Sequence, residues 1–125
     1  VRGATDVTGF GLLGHGLEMA RVSGTRFVFE ADALPALPGA LDLAADGVET
    51  GGAAHNRRFV APLLHVGAVV GPELVALAHD SQTSGGLLAA VGLDDVDESI
   101  RALNAEGVQA WRVGSVQVGE GVALI

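Results

Sequence analysis

Eleven residues near the start, Thr5-Asp6-Val7-Thr8-Gly9-Phe10-Gly11-Leu12-Leu13-Gly14-His15, constrain this chain more than any other stretch. They hold three glycines, two hydroxyls and a single acid, and they run directly into apolar residues at helical spacing. Residues without a Cβ let a backbone come close to something else. Asp80-Ser81-Gln82-Thr83-Ser84-Gly85-Gly86-Leu87-Leu88 repeats the style, with an acid, hydroxyls, paired glycines and leucines. The expectation is that both stretches form polar loops meeting at one site.

The rest of the chain alternates helix and strand signals. Phe10, Leu13, Leu17 and Ala20 lie on one helical face, with Leu12 and Met19 on its flank. Asp6 or Thr8 is placed to cap this helix and Ser23-Gly24 to end it. Glycines 9, 11, 14 and 16 would each cost roughly 1 kcal/mol in a helix, so tight packing or a nearby ligand must offset them. Arg26–Glu30 reads as a strand, and Pro38 to Gly47 as a short helix with Pro38 in its first turn. Residues 47–58 have loop composition, with Asn56 as a turn residue. Part of 59–70 is strand and Pro72–Ala78 a helix. Leu87–Val91 reads as a buried strand. Asp94, Asp95, Asp97 and Glu98 crowd the next helix start, where the dipole favours acids. Val96, Ile100 and Leu103 are expected to face inward and Gly107 to end that helix. Ala110–Val118 and Val122–Ile125 read as a hairpin around Gly119-Glu120-Gly121. The sum is an α/β (α+β) domain, a mixed sheet packed with helices.

One domain is expected from 125 residues, enough to bury roughly two-thirds of the unfolded surface. The net charge is −8, and all seven cations are Arg, without a single Lys. An acidic surface lacking basic clusters argues against nucleic acid or an anionic membrane as partner. It suits a metal cation better than a bare phosphate, which would need a divalent ion, an Arg or a helix start. The absence of Cys removes disulfides, thiolate catalysis and Cys-ligated zinc from the chain. No apolar run approaches the ~18 residues of a membrane span, which makes the cytoplasm the default location. Val1 stands where an initiating Met would, so a preceding portion is expected.

Each candidate residue also has a plainer explanation. Gly9-Phe10-Gly11-Leu12-Leu13-Gly14 is a literal G-x-G-x-x-G, and Glu30 follows Gly9 by 21 residues, as in a dinucleotide-binding fingerprint. That fingerprint needs an apolar strand running into its first glycine, and Arg2–Thr8 does not read as one. Asp6 alone is more simply a helix cap than a metal ligand, and Thr83-Ser84-Gly85-Gly86 an ordinary turn. Residues 82–86 are not a nucleophile elbow, which would place Gly at Gln82. The four histidines, His15, His55, His65 and His79, lack i, i+4 ligand spacing and read as structural or surface residues. Arg57-Arg58 reads as a solvated pair that could face an anion.

At Thr5–His15 the chain resembles the C-terminal domain of selenophosphate synthetase (selenide, water dikinase), within the aminoimidazole ribonucleotide synthetase-like superfamily. Leu37-Pro38-Gly39, Gly51-Gly52 with Asn56, Asp80 through Gln82–Leu88, and Gly107 through Val113-Gly114 match it in order. The resemblance therefore covers essentially residues 1–125. Ser81 departs from it, standing where a Pro is usual, a change expected to loosen the loop.

The resemblance implies a reaction in which ATP, selenide and water give selenophosphate, AMP and orthophosphate, with Mg²⁺ required. It implies that Asp6 is a magnesium ligand, and that Thr8, Gly9, Gly11, Thr83, Ser84, Gly85 and Gly86 form phosphate-side loops. It also places a reactive Cys or selenocysteine, an essential Lys and most of the ATP site in an N-terminal domain. This chain has no Cys or Lys, so it reads as a C-terminal domain inactive alone, from a longer enzyme that is a homodimer. Two other assignments fit the residues. One is the same fold in another ATP-dependent ligase or kinase of the superfamily. The other is a non-catalytic binding module whose glycines only permit tight packing.

Overall fold

A computed structural model describes residues 1–125. The first helix, α1 (Gly11–Ser23), forms the middle of the molecule. Its inner residues Leu13, Leu17 and Ala20 are buried to within 1% of full coverage. They meet Phe27, Phe29, Val122 and Leu124 from two strands, β2 (Arg26–Phe29) and β6 (Val122–Leu124). The glycines of α1 make that approach possible. A Cβ on Gly16 would stand 2.7 Å from the Phe29 ring, and one on Gly14 2.7 Å from the Phe10 Cβ. Close packing thus offsets their poor helix propensity. The helix ends at Gly24, whose φ of 64° lets its N–H turn back to the last carbonyls.

Two sheets flank this helix. A mixed sheet runs β3-β6-β2-β5, where β3 is Leu64–Val66 and β5 is Gly114–Gln117. β6 lies parallel to both β2 and β3, and β5 is antiparallel to β2. The second sheet is a ribbon of β1 (Gly3–Asp6) and β4 (Leu87–Ala90), antiparallel with Asp6 opposite Leu87. Four further helices complete the chain: α2 (Ala40–Ala45), α3 (Ala53–Val60), α4 (Pro72–His79) and α5 (Val96–Ala105). α3 and α4 pack on α1, and α2 packs on α4. The α/β class, the 26–29 strand, and the first and fourth helices match the sequence reading.

Several expectations are corrected. The closing segments form no hairpin, because β2 lies between β5 and β6. Gly121, at φ 78°, carries the chain past the start of β2, where the Phe27 N–H donates to its carbonyl at 3.1 Å. Residues 47–58 are not all loop, since Ala53 begins α3 with Ala53, Asn56 and Val60 buried. These inward residues fall at i, i+3 and i+7, a helical stripe hidden by the surrounding glycines and arginines. β4 is not buried throughout: it alternates, with Leu88 8% exposed and Leu87 82% exposed, as in a ribbon solvated on one face. No residue of α5 is buried, and Leu103 is 44% exposed. α2 starts at Ala40 behind Gly39, which leaves Pro38 just outside it. Neither Asp6 nor Thr8 caps α1, whose preceding residue is Phe10 with no side-chain cap. A strand does precede the G-x-G-x-x-G, but it is half exposed and pairs in a different sheet from β2. The β-α-β unit of a dinucleotide fold is therefore not formed.

Two glycines give a direct check on this packing. Both have positive φ, but a Cβ at Gly24 meets nothing within 4 Å, whereas one at Gly121 would overlap the Leu63 carbonyl oxygen. Gly24→Ala is expected to cost about 1 kcal/mol from backbone strain alone. Gly121→Ala adds the steric overlap and is expected to cost about 3 kcal/mol. Urea denaturation measures both, and equal costs would contradict the placement of Gly121.

Candidate functional site

The two glycine-bearing loops interlock at the N-terminus of α1. The Val7 N–H donates to the Gly86 carbonyl at 2.8 Å, and the Gln82 N–H donates to the Thr8 carbonyl at 3.1 Å. The β1–β4 ribbon delivers them there, since its register ends with Asp6 opposite Leu87. Loop packing explains two of the glycines. A Cβ on Gly11 would lie 2.7 Å from the Asp80 carbonyl oxygen, and one on Gly85 would overlap the Val7 carbonyl. Gly9 and Gly86 differ, for both are exposed and a Cβ on either would meet nothing within 4 Å. Their φ values are not positive either. Within the chain, neither packing nor backbone strain demands glycine at these two positions.

The polar groups divide in the same way. Asp6 is exposed, and its carboxylate takes part in no hydrogen bond or ion pair within the chain. Thr83 and Ser84 are exposed on the second loop. The Thr8 hydroxyl is engaged, 3.1 Å from His15 Nε2. His15 Nδ1 lies 3.2 Å from the Glu18 carboxylate, but off the line of a hydrogen bond. Asp80 Oδ1 accepts a hydrogen bond from the Thr50 hydroxyl at 2.9 Å. No group of three or more His, Asp or Glu side chains converges as a metal cage. At the loop junction Asp6 is thus the carboxylate that no other group of the chain engages. That suits Mg²⁺, which usually takes one or two carboxylates and fills its octahedron with water and phosphate oxygens.

Beside the second loop, a cavity of about 210 Å³ is lined by Thr50, Ala53, Ala76, Leu77 and Asp80. A cavity of about 550 Å³ lies at the far end of α1, beside Arg21, Gly24 and Leu63, away from both loops.

Sequence reasoning missed Asn56. It is no turn residue but the buried hub of the junction, 2% exposed on α3. Its Nδ2 donates to the Gly9 carbonyl at 2.9 Å, the His79 carbonyl at 3.0 Å and Ser81 Oγ at 3.2 Å. Ser81 also corrects its expectation. Its hydroxyl donates to the Gly9 carbonyl at 2.8 Å and its N–H to Thr50 Oγ1 at 3.3 Å, so it ties the loop down. The sequence signals were the helical spacing of Ala53, Asn56 and Val60 and the match of Gly51-Gly52 with Asn56 to the resembled family. Arg57 is not free to face an anion, since it pairs with Glu49.

The family described as "AIR synthase related protein, C-terminal domain" matches residues 1–125. The chain belongs to this family. A protein of Nitratidesulfovibrio vulgaris (strain Miyazaki F) named "Selenide, water dikinase" is 46% identical over 116 residues, covering 93% of this chain and 33% of its own length. Proteins of the same name from Geobacter metallireducens and Porphyromonas gingivalis (strain ATCC 33277) are 44% and 41% identical over 112 and 111 residues. The matches cover 90% and 89% of this chain, and 32% and 31% of those proteins. The chain spans about a third of the length of these curated relatives.

In this family member, His79 gives the junction a pH dependence. It is 1% exposed at the end of α4, with Nδ1 2.7 Å from the Val75 carbonyl and Nε2 buried without a partner. Burial lowers its pKa below the usual 6.5, and Arg57 adds to the lowering, against the Val75 hydrogen bond and Glu49. The imidazole is therefore neutral, with the Nδ1 proton on Val75, a tautomer assigned from its partner. The unfolded chain takes up the proton first as pH falls. Stability from His79 is thus complete above about pH 6.5 and declines toward the lowered pKa. Between pH 7 and 5.5 the urea midpoint should fall in the wild type. Its contribution is at most about 1.4 kcal/mol per pH unit. In His79→Gln the decline should be shallower, and an equal slope would contradict this assignment.

Proposed function

We propose that this chain is the C-terminal domain of a selenide, water dikinase, completing an ATP and Mg²⁺ site built mainly by a preceding domain. In that reaction ATP, selenide and water give selenophosphate, AMP and orthophosphate. The observation that carries the reading is the unengaged Asp6 carboxylate at the junction of two interlocked loops. The shared name of the relatives, at 41–46% identity along most of the chain, supports the same reaction.

Each candidate residue then has a distinct part. Asp6 would hold Mg²⁺, which when bound offsets charge on the transferring phosphates. Gly9 and Gly86 leave room for phosphate or for the preceding domain. Thr83 and Ser84 offer exposed hydroxyls as hydrogen-bond donors on the phosphate side. Thr8, Gly11 and Gly85 would belong to the same phosphate-side loops, held in place by His15 and by the opposite loop. The missing nucleophile and Lys would come from the preceding domain, and the working enzyme would be a cytoplasmic homodimer. Nothing in the chain offers a basic surface for nucleic acid, and no helix is long and apolar enough to cross a membrane.

A non-catalytic module is the competing account, and the unopposed Gly9 and Gly86 favour the catalytic one. If packing were the whole reason for these glycines, Gly9 and Gly86 would be opposed by atoms of the chain as Gly11 and Gly85 are. The test is Asp6→Ala in the full-length protein. Turnover should fall by about 100-fold or more, as when one charge-stabilising group is removed. Folding stability should move by about 0.5 kcal/mol or less, as for other surface substitutions. Retained turnover with lowered stability would instead make Asp6 a structural residue.

A further inference from the structure

We propose that Asn56 and Ser81 are positioning residues that lock the first loop against the second. They would keep Asp6 and the Thr83–Gly86 segment in one arrangement through the catalytic cycle. The inference rests on the reaction proposed above and extends it to residues that touch no substrate.

Donor arithmetic makes the case. The Asn56 amide has two hydrogens and three acceptors in reach, the Gly9 and His79 carbonyls and Ser81 Oγ. The NH₂ end of the amide fits against the Gly9 and His79 carbonyls, where Oδ1 would set acceptor against acceptor. Ser81 then donates its own hydroxyl proton to Gly9, so that one carbonyl receives from two separate segments. Gly9 directly follows Thr8, and His79 and Ser81 bracket Asp80. The gripped peptide groups are therefore those beside the polar residues of each loop.

The anchor is also independent of both loops. Asn56 comes from α3, which is held by buried Ala53 and Val60 and by packing on α1 and α4. Where a Cβ of Gly52 would be, the Ser81 hydroxyl lies instead, which brings the start of α3 against the second loop. An amide serving only its own helix would bond within α3, and all three of these contacts leave it. Beyond the β1–β4 ladder and this latch, the backbone bonds between the loops are Val7 to Gly86 and Gln82 to Thr8. Without the latch, each loop keeps its fold while their relative placement loosens.

The experiment uses the full-length enzyme with Asn56→Ala and Ser81→Ala, reading amide exchange by mass spectrometry alongside steady-state kinetics. Exchange in segments 6–9 and 80–86 should quicken by about tenfold, with other segments unchanged. The kcat should fall by about tenfold or more, as for a small misplacement of reacting groups, while KM for ATP changes less than about twofold. Ser81 is half-buried, so its variant carries the test if Asn56→Ala fails to fold. Unchanged loop exchange, or a lowered thermal midpoint with unchanged kcat per folded enzyme, would overturn the proposal. If the wild type makes no selenophosphate, the proposed reaction fails, and the exchange measurement still decides whether the latch exists.

Discussion

The Gly9 carbonyl receives hydrogen bonds from Asn56 on α3 and from Ser81 on the second loop. Two donors from separate segments meet on this one carbonyl, which ties three stretches of the chain to one point. Each bond contributes only about 1 kcal/mol net. Leaving the Asn56 donors unmatched would cost more than making the bonds gains, because they are out of reach of water. The junction is therefore well specified even though its individual bonds are modest. It sits on α1, whose glycines bring it close to β2 and to the second loop at once.

The same geometry separates frame from surface among residues that look alike in sequence. Gly11 and Gly85 lack a Cβ because the opposite loop occupies that space. Gly9 and Gly86 lack one with nothing of this chain nearby. Thr8 is held by His15, while Thr83 and Ser84 are exposed. Asp80 is engaged by Thr50, while Asp6 is free. What the chain leaves unengaged near the junction is the Asp6 carboxylate, the exposed Thr83 and Ser84, and the space beside Gly9 and Gly86.

Much of this was legible in the sequence. The acid, hydroxyls and glycines of both stretches marked two loops that meet, and the spacing of Leu13, Leu17 and Ala20 marked the central helix. The hairpin reading of the last residues failed because adjacency along the chain is only a tendency. β2, far earlier in sequence, inserts between β5 and β6 and pairs with each. Asn56 was hidden because glycines and arginines outweighed a short helical stripe, and because an amide hub is defined by distant carbonyls. Ser81 looked like a loosening because a sequence shows the ring it lacks and not the carbonyl its hydroxyl reaches. The Leu87–Val91 run looked buried since apolar residues fill both faces, yet in β4 Leu88 and Ala90 turn to the core while Leu87 and Ala89 are exposed.

The most direct measurement of the central claim is ³¹P NMR of the full-length protein with MgATP and selenide under anaerobic conditions. The account predicts a selenium-coupled phosphorus signal, with AMP and orthophosphate as the other products. ADP as the sole nucleotide product, or no turnover by a folded protein, would contradict it.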